Sequence, residues 1–494
     1  MLKFNFEGNN MTLNNNYFDV IILGAGLSGI GAAYHIQDKC ANKTFTILEG
    51  RENMGGTWDY FKYPGLRSDS DMFTLGYPFR PWKEQKAIAD GSSILKYIKE
   101  TAEEFGLDKK IRFQHKVLKA DWNSETQLWT LEIETPENKN LKLTCSFFYS
   151  CSGYYSYKEG YTPDFKNKEL FEGKTMHPQA WDTEYNYTDK KIVVIGSGAT
   201  AVTLVPELAK KAEHVTMLQR SPTYITSVPS KDKNAARISK WFPAKIARSL
   251  NRWKNILYMI TVYQIATRWP NKLKELLLTG VKRWLGDKAD IEKDYTPKYN
   301  PWEQRLCVVP DGDFFKAIKK DKASIITDQI ESFTKGGILL KSGKEIKADL
   351  IVTATGLNIE LVGGVKVSID GKEGETSSLH SYRGVMLSDV PNFAIAIGYT
   401  NASWTLKCDL NSKYVCRVLN YMDKNNLKTV IPKFDSKYET NEAFLNLDAS
   451  YIQRSISKLP RQGSKSPWRV YQNYIYDLFS IKYSKIKGTG LKFE

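Results

Sequence analysis

One supersecondary unit occurs twice in this chain, and that repetition constrains the fold more than any other feature. The first copy runs from an apolar segment, Phe18 to Leu23, through Gly24-Ala25-Gly26-Leu27-Ser28-Gly29 into an Ala-rich helix from Ile30 and a second apolar segment, Phe45 to Leu48. The second runs from Lys191 to Ile195 through Gly196-Ser197-Gly198-Ala199-Thr200-Ala201, a helix through Lys211 and a segment from His214 to Leu218. Strand, glycine-rich turn, helix, strand is the order a parallel crossover requires. Glycines there let the backbone turn tightly, approach a pyrophosphate closely and leave it on the N-terminus of the following helix. One such fingerprint is weak, because glycines also mark ordinary turns. Two in the right context predict an α/β chain with two Rossmann-like dinucleotide-binding units.

The two units differ where the adenosine ribose would lie. Glu49 ends the first unit's second strand, 20 residues past Gly29. A carboxylate there accepts from both ribose hydroxyls and repels a 2′-phosphate, which suits FAD or NAD. In the second unit Arg220, followed by Ser221, stands 19 residues past Ala201. A guanidinium suits the 2′-phosphate of NADPH through charge-assisted contacts. Candidates for the first site are therefore Gly24, Gly26, Ser28, Gly29 and Glu49. Those for the second are Gly196, Ser197, Gly198, Ala199, Thr200, Ala201, Val202, Arg220 and Ser221. Opposite ribose preferences in one chain predict hydride transfer from NADPH to a flavin. A disulfide reductase would need a CxxxxC pair soon after the first fingerprint; Cys145 and Cys151 come too late and have five residues between them. An oxygen-using flavoenzyme needs no cysteine.

At 494 residues the chain suits two or three domains. The six cysteines contain no CxxC pair and stand at no metal-ligand spacing with the five histidines, so reduced thiols and no metal are expected. Met1 to Tyr17 is Asn-rich and lacks the apolar run of a secretory signal, which predicts a cytoplasmic protein. The net charge of +16 is concentrated: Lys231 to Asn300 holds 16 Lys and Arg against 6 Asp and Glu, with Trp241, Trp253, Trp269 and Trp284. A basic, tryptophan-bearing helical segment can lie peripherally on a membrane surface. The blander expectation is an insert that packs its apolar face on its own protein and solvates its charges. Helical spacing of Ile256, Met259, Ile260 and Tyr263 supports one helical stretch from Trp241 to Leu285. Between the fingerprints, Val117 to Ile133 and Lys142 to Tyr149 alternate like strands. Apolar runs enter small-residue turns at Cys151-Ser152-Gly153 and Ala354-Thr355-Gly356, where the chain is expected to leave one dinucleotide domain and return to it.

Two longer patterns carry a family resemblance. Phe171-Glu172-Gly173-Lys174-Thr175-Met176-His177-Pro178-Gln179-Ala180-Trp181-Asp182 is similar to the FxGxxxHxxxW signature of Baeyer–Villiger monooxygenases. Gly55-Gly56-Thr57-Trp58 through Tyr63-Pro64-Gly65 to Asp69 fits that family's GGxWxxxxYPGxxxD pattern at every fixed position. The resemblance runs over almost the whole chain. Tyr299-Asn300-Pro301-Trp302-Glu303-Gln304-Arg305-Leu306-Cys307 and Gly398-Tyr399-Thr400-Asn401-Ala402-Ser403-Trp404 also resemble the ethionamide-activating branch of FAD-containing monooxygenases.

The resemblance implies an FAD domain over 1–155 and 357–494, an NADPH domain over 156–230 and 301–356, and a helical insert over 231–300. It implies that Thr57, Trp58, Asp59, Tyr60, Arg67, Ser68, Asp69 and Val117 line the FAD site. It further implies oxygenation of ketones to esters or lactones through a C4a-peroxyflavin, with S-oxygenation of sulfides or thioamides; the alternative is an enzyme acting mainly on S or N nucleophiles. The expected partners are dioxygen and a small ketone, sulfide or thioamide, not nucleic acid. Arg305 would stabilise the negative charge that develops on oxygen, as an oxyanion hole does, and Asp69 would pair with and orient it. His177 is implied as a hydrogen-bonded hinge residue rather than an acid or base. Gln304 stands where many relatives carry Lys, which removes one cation that could contact the nicotinamide cofactor.

Overall fold

The computed structural model describes residues 16–304, 306–445 and 447–494. A mixed sheet and a parallel sheet carry the repeated units. In the first, strands Ile111–Arg112, Phe45–Leu48, Tyr17–Leu23, Leu141–Ser150 and Phe393–Ile395 lie side by side, each neighbouring pair parallel. Val20 and Ile22 pack with Ile30 and Ala33 of helix Leu27–Lys39 and with Val415 and Leu419 of helix Trp404–Lys424. Ile21 and Leu23 pack on the opposite face with Trp129, Leu131 and Phe148. Burial on both faces is why this strand is a continuous apolar run rather than an alternating one. The alternating stretch from Val117 to Ile133 divides into an antiparallel hairpin, Lys116–Asn123 and Leu128–Glu134. Its turn is set by Asn123, whose Oδ1 accepts from the Thr126 amide at 2.7 Å, and by Gln127 at φ 56°.

The second sheet orders Ala323–Thr327, His214–Gln219, Lys191–Ile195, Leu350–Thr353 and Lys174–Met176, all parallel. Helix Ala199–Leu208 covers it, stopping short of Lys211, whose amide closes the last turn on the Leu208 carbonyl at 3.1 Å. Strands Tyr155–Gly160 and Leu357–Ile359 pair antiparallel where the chain passes between the sheets. Beyond this junction the chain adds Lys366–Ile369, Lys372–Glu373 and Phe393–Ile395 to the sheet that Tyr17–Leu23 began. The architecture is thus α/β with two dinucleotide-binding folds.

The expected single helical stretch is several helices: Lys233–Trp241, Ala244–Arg268, Pro270–Leu285 and Ile291–Tyr295. Pro243 and Pro270 stand at its breaks, where a residue without an amide hydrogen opens a helix but cannot continue one. Leu273, Leu277, Val281 and Leu285 recur at helical spacing and are buried on the side of the second sheet. The long helix Ala244–Arg268 reaches the first sheet's unit instead. Arg252 Nη1 donates to the carbonyls of Phe73 and Gly76 at 3.0 and 2.8 Å, and Asn255 Nδ2 donates to Asp71 Oδ1 at 3.0 Å. Among the described residues no helix is long and apolar enough to cross a membrane.

Candidate active site

Both glycine-rich turns lie at the C-terminal ends of their central strands, the position where open parallel sheets bind ligands. In the first, Gly24 takes φ +97°, and a side chain there would meet the Cys151 carbonyl oxygen at 2.9 Å. A side chain at Gly29 would collide with the Gly24 carbonyl, so glycine is what lets the helix approach the strand. Above the turn, a Cβ at Gly26 would find Gly56 Cα at 3.5 Å, so two glycine backbones face each other. No side chain caps the helix at Gly26, which leaves its N-terminus facing this gap. Glu49 is buried beside it: Oε2 accepts from the Ala25 amide at 2.9 Å and Oε1 from the Arg51 amide at 3.1 Å. These bonds fix the carboxylate while leaving further lone pairs on both oxygens. Burial pushes its pKa up, so the ionised form gains from any additional donor. The cradle and the fixed acceptor fit an FAD adenosine diphosphate.

The second turn repeats the design. A side chain at Gly196 would collide with the Ala354 carbonyl, whereas one at Gly198 would meet nothing within 4 Å. Helix Ala199–Leu208 likewise has no side-chain cap, and Ala201 is fully buried in its contact with the sheet. Ser197 Oγ donates to the Ser221 carbonyl at 3.1 Å, which ties the turn to the end of strand His214–Gln219. Arg220 is exposed there. Open space over the turn and an exposed guanidinium fit NADPH.

The GGxWxxxxYPGxxxD stretch forms the seam between the two sites. Gly56, at φ +55°, starts the short helix Thr57–Tyr60. Asp59 is buried and ion-paired with Arg51. The Arg51 guanidinium lies over the Tyr60 and Tyr157 rings at 5.3 and 5.7 Å, and those rings stack at 4.1 Å. Thr57 hydrogen-bonds the Tyr157 hydroxyl, whose pKa burial pushes up to about 12. Trp58 packs against the first core. Gly65, at φ +78°, admits helix Ala199–Leu208: a Cβ would meet the Thr203 carbonyl oxygen and Glu207 Cβ, both at 3.1 Å. Tyr63 hydrogen-bonds Thr200, and Arg67 is ion-paired with Asp313 of helix Asp313–Lys319. The glycine of the YPG triplet is therefore a packing requirement between the two units. Ser68 is buried, its Oγ donating to the Ser70 carbonyl at 2.8 Å, and Asp69 is exposed on the same loop. Val117 is buried beside the strand end that carries Glu49, where the Glu49 carbonyl accepts from the His115 amide at 2.9 Å.

His177 Nε2 lies 3.1 Å from the Gly356 carbonyl oxygen, and Nδ1 accepts from the Gln179 amide at 3.1 Å. An acceptor at Nδ1 and an acceptor opposite Nε2 require the neutral ring with its proton on Nε2, and burial lowers the pKa in the same direction. The ring thus ties the Phe171–Trp181 motif to the junction between the sheets. Arg305 lies outside the described residues.

Several residues at the site escape pattern reading. Trp404 Nε1 donates to Ser28 Oγ at 2.8 Å, and Ser28 Oγ donates to Cys408 Sγ at 3.4 Å, so helix Trp404–Lys424 closes over the first fingerprint. Tyr154 stacks on Trp404 at 5.2 Å. Beside Trp404, a narrow cleft opens between helix Ala244–Arg268 and the chain around Asn401 and Gln472. Ile256, Met259, Ile260, Tyr263 and Leu406 form much of its wall. Asn401 Nδ2 donates to the Gln472 carbonyl at 2.8 Å, while its Oδ1 is buried with no hydrogen-bond partner. Only the family pattern around Asn401 signalled this region; the spacing of the other wall residues reads equally as core.

Comparison with known proteins agrees with this geometry. A family model described as flavin-binding monooxygenase-like matches residues 19–420. The FAD-containing monooxygenase EthA of Mycobacterium tuberculosis (strain ATCC 25618 / H37Rv) is 50% identical over 478 residues, covering 97% of this chain and 98% of the relative. Among solved structures, an oxidized steroid monooxygenase bound to NADP superposes with a TM-score of 0.75 at 20% identity, covering 97% of this chain and 99% of that one. OTEMO in complex with FAD and NADP gives 0.73 at 19% identity, covering 97% and 99%; at these identities the likeness is one of fold. With two glycine-rich cradles at the ends of parallel strands and a match of this extent, the chain belongs to the flavin-binding monooxygenase-like family, as an FAD- and NADPH-dependent oxidoreductase.

Proposed function

We propose that this monooxygenase acts mainly on soft sulfur or nitrogen nucleophiles, small sulfides and thioamides foremost, transferring one oxygen atom from dioxygen. The observation that carries this reading is Asn401 Oδ1, a buried acceptor with no partner among the described residues, in an uncharged cleft beside Trp404. As it stands the cleft has free space of about 20 Å³, room for one water, so a substrate must widen it, and a neutral, polarisable one does so without the cost of burying an ion. The N–H of a thioamide would satisfy Asn401 Oδ1. The sum is sulfide, dioxygen, NADPH and a proton giving sulfoxide, water and NADP⁺.

Bound FAD, once reduced by NADPH, supplies the electrons that activate dioxygen. The chain's own residues do the rest. Gly24, Gly26, Ser28 and Gly29 seat the FAD pyrophosphate, Glu49 holds the adenosine ribose, and Val117 flanks it. Thr57, Trp58, Asp59, Tyr60, Arg67 and Ser68 border the flavin side. Gly196 to Val202 seat the second pyrophosphate, with Arg220 and Ser221 on the 2′-phosphate. Arg305 would stabilise charge developing on oxygen, with Asp69 as its partner, a role of the kind whose loss costs about 2.7–4 kcal/mol. FAD is assigned to 1–155 and 357–494, NADPH to 156–230 and 301–356, and 231–300 is an insert.

Oxygen insertion beside a ketone carbonyl is the second reading, favoured by the Phe171–Trp181 signature. Competition separates the two. Supplied with equimolar sulfide and cyclic ketone, NADPH and air, the enzyme is expected to give sulfoxide in excess. Ester or lactone as the main product would overturn the first reading in favour of the second.

A further inference from the structure

The helical insert leaves one face that the oxidoreductase reading does not use. Along helix Ala244–Arg268, Ile246, Leu250, Trp253 and Leu257 recur at helical spacing on a single side, and all four are exposed, from 39 to 49%. At the preceding corner Trp241 is 80% exposed and Phe242 47%. An apolar stripe of this length on a helix surface is unusual where the same helix already buries other side chains, here Ala247, Asn251 and Ile256. The charge around it has one sign. From Lys233 to Lys274 there are ten Lys and Arg and no Asp or Glu. On the helix, Lys245 lies to one side of the stripe and Lys254, which is ion-paired with Asp232, to the other, about 100° and 80° away at 3.6 residues per turn.

We propose that this stripe docks on an anionic lipid surface, with Trp241, Phe242, Ile246, Leu250, Trp253 and Leu257 entering the headgroup region and the flanking bases meeting lipid phosphates. An apolar face bordered by bases is the geometry of an interfacial helix, and indole rings favour the boundary between acyl chains and headgroups. A second copy of this chain is the other occupant an apolar stripe can serve. Charge argues against it, because pairing two such faces would bring two groups of bases together with only Asp232, already paired to Lys254, beside them. A lipid phosphate surface supplies the missing charge. Docking would place the substrate cleft at the membrane: Trp253 of the stripe lies 6.0 Å, ring to ring, from Tyr474, which lines that cleft.

The test is sedimentation of the FAD-loaded enzyme with vesicles of phosphatidylcholine alone or mixed with phosphatidylglycerol. Binding is expected to the mixed vesicles, to weaken as salt is raised, and to be absent from phosphatidylcholine. Lys245→Ala should weaken it about fivefold, and Lys254→Ala less, because Asp232 already pairs with Lys254. Leu250→Glu with Leu257→Glu should abolish it while leaving NADPH oxidation with a water-soluble sulfide unchanged. No binding to mixed vesicles, or equal binding to both compositions, overturns the proposal. So does a salt-stable dimer of the free enzyme that the double glutamate variant converts to monomer, which would make the second copy the occupant.

Discussion

Replacement of Glu49 by Gln keeps the side chain's shape and removes its charge. In the folded chain both Glu49 oxygens accept backbone amides, from Ala25 and Arg51. Gln can satisfy only one of them, so an NH₂ group faces the other N–H, and a buried unsatisfied donor costs about 1–3 kcal/mol. The charge-assisted bond to a ribose hydroxyl, worth about 1.5–3 kcal/mol, is weakened as well. The first cost falls partly on the apo chain, so the net loss in FAD affinity should be about 3 kcal/mol, roughly a 150-fold rise in Kd. The pH dependence makes the argument sharper. Burial raises the Glu49 pKa, so the apo fold favours the protonated form. This group's stabilisation of the apo fold is therefore present below the ordinary glutamate value of about 4.3 and is lost as pH rises through the raised pKa. FAD requires the ionised form, so FAD retention should strengthen as pH rises through that same window, and Glu49→Gln should flatten the dependence. Fluorescence of released flavin reads both quantities, with circular dichroism confirming that the variant is folded. An unchanged Kd together with an unchanged pH profile would refute the role of Glu49.

Arg220→Ala should reduce the preference for NADPH over NADH by roughly 10- to 150-fold, the equivalent of about 1.5–3 kcal/mol, read as the ratio of kcat/KM values; equal use of both coenzymes by the unmodified enzyme would contradict the assignment. Arg305→Ala should still allow stopped-flow reduction of FAD by NADPH but lose oxygenation and release hydrogen peroxide, and Arg305→Lys should rescue it poorly because a point charge does not reproduce a planar guanidinium. Near-normal product yield from Arg305→Ala would remove it from the chemistry. Trp404→Phe deletes the indole N–H that reaches Ser28 Oγ; it should weaken FAD binding about 2- to 10-fold, whereas no change would place Trp404 in packing alone. Asn401→Leu should raise KM for a thioamide more than for a dialkyl sulfide, which has no N–H to offer; equal effects on both would count against a hydrogen bond to Oδ1.

The parts of the fold legible in the sequence were those set by local chemistry. A strand buried on both faces must be apolar throughout, and the close contact of Gly29 with Gly24, or of Gly196 with Ala354, tolerates no side chain, so both units carried their signature in a few consecutive residues. The insert was legible as helical, but its breaks depended on treating Pro243 and Pro270 as starts of new helices. The hairpin at Asn123 was masked because alternation persists on both sides of its turn. Contacts between distant segments left no comparable trace. Ser28 and Trp404 meet across 376 positions, and Gly65 owes its role to the helix bearing Thr203 and Glu207. The cleft draws its wall from around Ile256, Asn401 and Gln472, and of these only Asn401 stands in a family pattern. Ligand-binding turns are written locally, whereas a substrate site assembled from separated elements is written only in the packing.

The central claim is that NADPH oxidation at the second site drives transfer of one atom of dioxygen to a soft nucleophile at the first. The direct measurement is a reaction with an alkyl aryl sulfide and NADPH under isotopically heavy dioxygen in ordinary water, analysed by mass spectrometry. Sulfoxide carrying heavy oxygen, formed in proportion to the NADPH consumed, is the predicted result. Sulfoxide bearing oxygen from water, or NADPH consumed with hydrogen peroxide as the sole product, would contradict it.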